Sequence, residues 1–287
     1  MNFPHILSRL SSVEPKVFDQ PEQRRNLIKS LLKGAALTAV PLGLSAIMNK
    51  AVAKGTANDP ILDSLNSVLL YKYMEVDFYT QALKASVGPP VSTNPLIPSG
   101  AEQSAIIEIQ GQELKHRNVI EDTINTYAFG KAIPTPVFDF TAGGLYPNVF
   151  SDYGTFLAIA QIMEDTGVRA FKGVLAALAG QHGMLSNILR IHTVEGRHAA
   201  HIREMRRDSP GPLVSGTVKP WITSNGSNIA GGLGMNSYDK EDNTLQSNIQ
   251  IHLINGLLII DTNAASEAFD EPLDKAVVAT IISPFIV

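Results

Sequence analysis

The chain has 287 residues, of which 44% are hydrophobic and 17% charged, and its formal net charge is −4. This composition is enough for a sizeable core, and it gives no indication of a nucleic-acid partner, which would favour a basic surface. The absence of cysteine excludes disulfides, thiolate metal sites and iron–sulfur clusters. Any metal ion must therefore be bound by His, Asp or Glu, which suits iron, manganese or zinc.

The first 53 residues have the pattern of a bacterial export signal. Arg24 and Arg25 precede an apolar run from Leu31 to Met48, and small residues follow up to Ala53. The paired arginines resemble a twin-arginine signal, the type used for proteins exported in the folded state. Because the run is short for a bilayer span, we expect cleavage rather than a stable membrane anchor, and a periplasmic or extracellular protein. The alternative is an amphipathic N-terminal helix.

Four helical segments are predicted in the region that follows, each delimited by capping residues, Gly or Pro. Asp59 and Pro60 indicate the start of the first segment, and Ser99 and Ser151 are expected to cap the second and third. The expected segments are 59–85, 99–128, 151–179 and 183–207, with a long irregular connection at 131–150.

The inward face of each segment carries a polar residue near mid-length, among apolar neighbours spaced three and four apart. The first and third segments have a single Glu, and the second and fourth have a Glu-x-x-His pair. In chain order these residues are Glu75, Glu113, His116, Glu164, Glu195 and His198. Other charged residues are assigned to solvent-exposed faces, among them Lys72, Asp165, Arg169 and Arg203.

A metal centre explains why four carboxylates would occupy core positions. Four carboxylates at one level of a bundle repel one another, and burying one alone costs several kcal/mol. Two divalent cations would balance their charge, and two neutral imidazoles would complete the ligand sets. The i, i+3 spacing would let Glu113 and Glu195 bridge both ions, while Glu75 and Glu164 would each complete one. This is the pattern described for ferritin-like di-iron and di-manganese bundles.

Residues 59–207 resemble the ferritin-like superfamily, because all six ligand positions of its motif are occupied and the connection at 131–150 corresponds to its crossover. With the export signal and the C-terminal sequence, the whole chain resembles an exported ferritin-like family that includes desiccation-related proteins. The resemblance implies an all-α fold, a ferritin-like four-helix bundle with a long B–C crossover and an irregular C-terminal extension. We expect the signal at 1–53, the bundle at 54–207 and the extension at 208–287.

The pattern and the resemblance together predict a dinuclear centre of two Fe or Mn ions that reacts with O2 or H2O2. Ferroxidase, peroxidase and catalase-like reactions remain open, since manganese catalase uses a related bundle. The alternative is a non-enzymatic stress or desiccation-related protein with a vestigial metal site. The C-terminal extension is expected either to cover the bundle or to support a homo-oligomer.

Residues close to the six in sequence are candidates for supporting roles. Tyr71 and Tyr79 lie one turn either side of Glu75, where core packing and a hydrogen bond to a ligand are both open. Gln161, one turn before the Glu of the third segment, is expected to contact a ligand. Gly167, one turn after that Glu, either leaves space beside the metals or allows close helix packing.

Overall fold

The structure is a computed structural model, and it describes residues 59–87, 95–127, 131–232, 234–254 and 256–287. The expected export signal at 1–53 lies outside the described residues. Within these ranges, none of the helices has an apolar stretch long enough to cross a bilayer.

Four long helices form the bundle, and the fold is all-α with a C-terminal extension, as predicted. Helix α1 packs along α2 and helix α3 packs along α4, and α1 also contacts α3. Almost every residue of α3 is buried, which makes it the central helix of the group. The helices are α1 Pro60–Val87, α2 Ala101–Thr126, α3 Tyr153–Val174 and α4 His182–Asp208.

The helix starts agree with the sequence in one case and differ in two. The Asp59 side chain accepts hydrogen bonds from the first turn of α1, including one of 2.9 Å from the backbone N–H of Ile61. The expected caps at Ser99 and Ser151 are wrong. Helix α2 follows Gly100, at φ 109°, without a side-chain cap. Helix α3 is capped instead by Asp152, whose longer carboxylate accepts from the Thr155 N–H at 2.7 Å.

The connection between α2 and α3 is long and irregular, as expected, and an aromatic cluster attaches it to the bundle. The ring of Phe78 on α1 stacks on that of Phe156 on α3 at 5.2 Å between centroids. Phe140 from the connection packs edge-on against Phe78 at 5.1 Å. Tyr146 stacks on Phe285 near the C-terminus at 5.9 Å. The connection is therefore anchored at both the bundle and the extension.

The C-terminal extension consists of turns, two short hairpins and two short helices. Leu245 pairs with Gln250 in the first antiparallel hairpin, and Leu253 pairs with Leu258 in the second. The closing helix begins at Lys275 and is capped by Asp274, whose side chain accepts from the backbone N–H of Val277. The bounds are β1 Leu245–Gln246, β2 Ile249–Gln250, β3 Leu253–Ile254, β4 Leu257–Leu258, α5 Thr262–Ser266 and α6 Lys275–Ile282.

The four charged residues named above as solvent-exposed are buried, and that expectation was wrong. Asp165, Arg169 and Arg203 lie under the extension, which supplies polar partners for them. The Arg169 guanidinium donates to the carbonyl oxygens of Asp239 at 2.6 Å and Glu271 at 2.8 Å. Lys72 is buried for a different reason, because its side chain points into the bundle, among the carboxylates.

Candidate metal centre

The four long helices bring all six predicted residues into one buried cluster at the middle of the bundle. The four Glu side chains are fully buried, and apolar residues one turn before and after keep each in the core. The imidazole of His198 is 6% exposed and that of His116 is 13% exposed, so the histidines lie at the edge of the cluster nearest to solvent. The cluster residues are Glu75, Glu113, His116, Glu164, Glu195 and His198.

Four ligand atoms converge at one point, which we call position 1. One atom each from Glu113, Glu164, Glu195 and His198 lie within 4.8 Å of one another. Nδ1 of His198 is 2.7 Å from Oε1 of Glu113 and 3.6 Å from Oε2 of Glu164. Carboxylate oxygens and an imidazole nitrogen that lie this close together form a donor set that fits a metal ion.

Three carboxylates surround a second point, position 2, and the ammonium group of Lys72 lies there. Lys72 Nζ is 2.6 Å from Oε2 of Glu113 and 2.5 Å from Oε2 of Glu195, and it also contacts Oε2 of Glu75. The Lys72 side chain is fully buried. Position 2 therefore has the acidic donor set expected of a second cation site, and a side chain of the protein fills it.

Glu113 faces both positions. Its Oε1 points to His198 at position 1, and its Oε2 contacts Lys72 at position 2. Glu195 also belongs to both groups, whereas Glu75 is near position 2 and Glu164 near position 1. This is the division into shared and terminal carboxylates that the helical spacing predicts. Whether each residue binds a metal ion stays a prediction.

His116 lies beside the two shared carboxylates rather than within the group at position 1. Its Nδ1 is 3.3 Å from Oε1 of Glu195 and 3.5 Å from Oε2 of Glu113. Its ring centroid is 6.1 Å from that of His198. Burial would lower the pKa of His116, but hydrogen bonding to Glu113 and Glu195 outweighs burial and raises it. The two imidazoles therefore border the same side of the cluster.

The four carboxylates of the cluster lie close together, and their negative charge exceeds the positive charge of the Lys72 ammonium group beside them. Burial raises the pKa of Glu75 and Glu164 above the ordinary value of a Glu. For Glu113 burial acts in the same direction, but the Lys72 ammonium prevails and holds its pKa well below that value. Burial opposes the charge of Lys72, yet Glu113, Glu195 and Glu75 raise its pKa well above normal. The ammonium group is therefore charged at neutral pH.

His198 is oriented by a hydrogen-bonded chain that the sequence did not reveal. Its Nε2 donates to Oε1 of Gln112 at 2.9 Å, and the Gln112 amide donates to Glu108 at 2.7 Å. This arrangement turns Nδ1 toward position 1. Burial would lower the pKa of His198, but Glu113 and Glu164 outweigh burial and raise it to about 10. Gln112 directly precedes Glu113, and a Gln there looks like any surface residue of a helix.

The supporting residues named from sequence have mixed outcomes. The Tyr79 hydroxyl donates to Oε1 of Glu164 at 2.5 Å, so the hydrogen-bonding option holds for this residue. The Tyr71 hydroxyl donates instead to the backbone carbonyl of Met163. The expectation for Gln161 is wrong, because its side-chain amide bonds to Ser227, Tyr238 and Arg206 under the extension.

Gly167 lies directly beside the carboxylates, and the structure supports the option of close packing, because carboxylate oxygens occupy the space next to it. A Cβ at this position would be 2.9 Å from Oε2 of Glu195 and 3.1 Å from Oε1 of Glu75. Such distances are shorter than normal contacts, so only glycine lets these carboxylates approach α3 without displacement.

The fold and the cluster define this protein as a four-helix bundle with a buried Glu/His group that can hold metal ions. Residues 61–208, more than half of the chain, match the family described as the ferritin-like domain. The chain therefore belongs to the ferritin-like domain family. Comparisons with curated proteins and with solved structures found no match.

Proposed function

We propose that the protein is a metal-binding oxidoreductase in which iron or manganese, held by the buried cluster, reacts with O2 or H2O2. The observation that carries this proposal is position 1, where one ligand atom each from three buried carboxylates and one histidine lie within 4.8 Å of one another. Carboxylate and imidazole donors suit these two metals. Membership of the ferritin-like domain family supports the same reading.

Bound iron or manganese would supply a change of oxidation state for ferroxidase, peroxidase or catalase-like chemistry. The residues of this chain would hold and orient the ligands. Gln112 fixes the ring of His198, and Tyr79 holds one oxygen of Glu164. Complete burial of the four carboxylates keeps bulk water away from them, and the His116 imidazole, 13% exposed, is the side chain of the cluster nearest to solvent.

The number of ions expected from the sequence is two. Position 1 fits an ion as the side chains stand. Position 2 fits a second ion only if Lys72 leaves, because its ammonium group already contacts the three carboxylates there.

Export through the twin-arginine route to the periplasm or the extracellular space is part of the proposal, and so is a relation to desiccation-related proteins. Both rest on the sequence of residues 1–53 and of the C-terminal region. O2 or H2O2 are the proposed small-molecule partners. A homo-oligomer is proposed through the extension, where the hairpin side chains Leu257 and Leu258 are 72% and 67% exposed.

One observation favours a second candidate function, a stress or desiccation-related protein without redox activity. Lys72 already balances part of the acidic charge, so the cluster has a cation of its own. In that case the site would be vestigial and metal would not be needed for folding.

The test is to load purified protein with Fe(II) or Mn(II) without oxygen and to mix it with O2 and, separately, with H2O2 in a stopped-flow instrument. We expect metal-dependent consumption of one oxidant. Glu195→Gln should lower metal affinity and this reaction at least about tenfold, because a shared carboxylate is lost. Glu204→Gln, an exposed change on the same helix α4, should leave both intact. Bound metal that reacts with neither oxidant would favour the second candidate instead.

A further inference from the structure

Lys72 occupies the place of a cation, and its geometry is that of a specific ligand rather than a loose ion pair. An ammonium group has three N–H donors, and three carboxylate oxygens from α1, α2 and α4 lie around Nζ. The ring of Phe171 on α3 is 5.0 Å from Nζ on a further side. All four long helices therefore contribute to the surroundings of this one ammonium group.

A metal ion and the Lys72 ammonium exclude each other at position 2. A metal ion needs about 2.0–2.2 Å to each carboxylate oxygen, so an ion bound to the same three oxygens would occupy the space that Nζ fills. The Lys72 side chain is fully buried, and moving it would place a charged group into the apolar core or open the bundle.

Position 1 differs from position 2 in that, among the described residues, no Lys or Arg side chain forms an ion pair with Glu164 there. There Nδ1 of His198 is 2.7 Å from Oε1 of Glu113 and 3.6 Å from Oε2 of Glu164, and this nitrogen can lose its proton and bind a metal ion, which the Lys72 ammonium group cannot do. Charge balance points the same way. One ammonium group and one divalent ion leave one negative charge on the four carboxylates, whereas an added second divalent ion would leave a buried positive excess.

We propose that Lys72 permanently supplies the cation at position 2, so that the protein binds a single metal ion, at position 1. This inference rests on the proposed metal-binding function and replaces the sequence-based expectation of two ions. Glu113 and Glu195 then link a metal ion to an ammonium group rather than to a second metal. Lys72 acts as a positioning residue, holding the shared carboxylates at the spacing that one ion requires.

The experiment is a count of metal ions per chain by elemental analysis, after exposure to excess Mn(II) and removal of the unbound metal. We expect one ion in the native chain and two in Lys72→Met, because methionine removes the positive charge and frees position 2. Lys84→Met, an exposed change on the same helix α1, is the matched control and should keep one ion. Two ions in the native chain, or one ion in Lys72→Met, would overturn the role of Lys72 while leaving metal binding intact.

Electron paramagnetic resonance of the Mn(II)-loaded native chain gives an answer that does not depend on the folding of a variant. A single isolated Mn(II) ion gives an uncoupled six-line spectrum, which is the expected result. A spin-coupled spectrum would contradict the proposal, because it requires two ions that share carboxylates. A native chain that takes up no ion at all would overturn the proposed metal-binding function as well.

Discussion

At Gly167, a hydrogen atom stands where any other residue would carry a Cβ, and carboxylates of two other helices occupy the space beside it. The close approach of α3 to the cluster thus depends on one missing methyl group. Displacing either carboxylate by a few tenths of an ångström would change ligand spacing on both sides of Glu195, since that residue faces both positions.

Gly167→Ala should therefore weaken metal binding and stability together. We expect a loss in metal affinity of about 10- to 100-fold, as for other changes that displace a ligand, and a destabilisation of about 1–3 kcal/mol from overpacking. Titration with Mn(II) and urea unfolding measure the two effects. The control is Gly196→Ala on α4, where a Cβ would meet nothing within 4 Å. That change should stabilise the helix by about 0.5–1 kcal/mol. Equal behaviour of the two variants would refute the packing argument.

Among the elements, α4 carries residues for two separate purposes on neighbouring turns. Glu195 and His198 face the cluster, whereas Arg203 and Arg206 bind the extension. The Arg203 guanidinium donates to both carboxylate oxygens of Asp165, at 2.9 Å to Oδ1 and 2.6 Å to Oδ2, and both side chains are buried. Arg206 donates to backbone carbonyls of the extension, including that of Asn228 at 2.5 Å.

Arg203→Met should destabilise the protein by about 3–5 kcal/mol, because it leaves the Asp165 carboxylate buried without its partner. The measurement is the free energy of unfolding in urea. Arg207→Met removes an exposed ion pair to Asp208 on the same helix, with side chains 45% and 68% exposed, and should cost less than about 1 kcal/mol. The double change Asp165→Leu with Arg203→Met should recover most of the loss. A small effect of Arg203→Met alone would contradict the proposed role of this pair.

The sequence predicts the bundle well because the pattern that defines each long helix is local. Apolar residues three and four apart identify the inward face, and the six polar residues on that face meet in the structure. The burial of Arg169 depends instead on long-range contacts, since its partner Glu271 is 102 residues away in the chain. A charged helix face that another segment covers looks like a solvated face in the sequence. The burial of Lys72 was not predicted for a related reason, because a lysine three residues before Glu75 usually extends into water.

In the metal-free protein as a whole, protonation of some buried groups stabilises the folded state, and protonation of Glu113 destabilises it. Folding raises the pKa of His198 to about 10. Its contribution to stability is therefore complete below its unfolded pKa of about 6.5 and is lost as the pH rises toward 10. The raised pKa values of Glu75 and Glu164 also reduce stability as the pH rises above their ordinary range. The lowered pKa of Glu113 stabilises the fold above its ordinary value and is lost on acidification.

The metal-free protein should accordingly lose stability between about pH 6.5 and 10, by up to about 1.4 kcal/mol per pH unit from His198 alone. Urea unfolding at several pH values in this window measures the slope. His198→Gln should flatten it. Metal affinity should rise over the same window, because a proton must leave Nδ1 before that atom can bind a metal ion. A stability that does not change over this window would contradict the assignment.

The near-complete burial of α3 closes one side of the centre, and the side bordered by the two imidazoles lies nearer to solvent. Behind the carboxylates lie the central helix and the extension, and in front of them stand the two imidazoles, of which that of His116 is the more exposed. Rotation of the imidazole rings, rather than separation of the helices, would then let ions and chelators enter and leave. The rate of metal exchange would then depend on how freely the His116 imidazole rotates. A protein of high thermal stability could still exchange its metal within seconds.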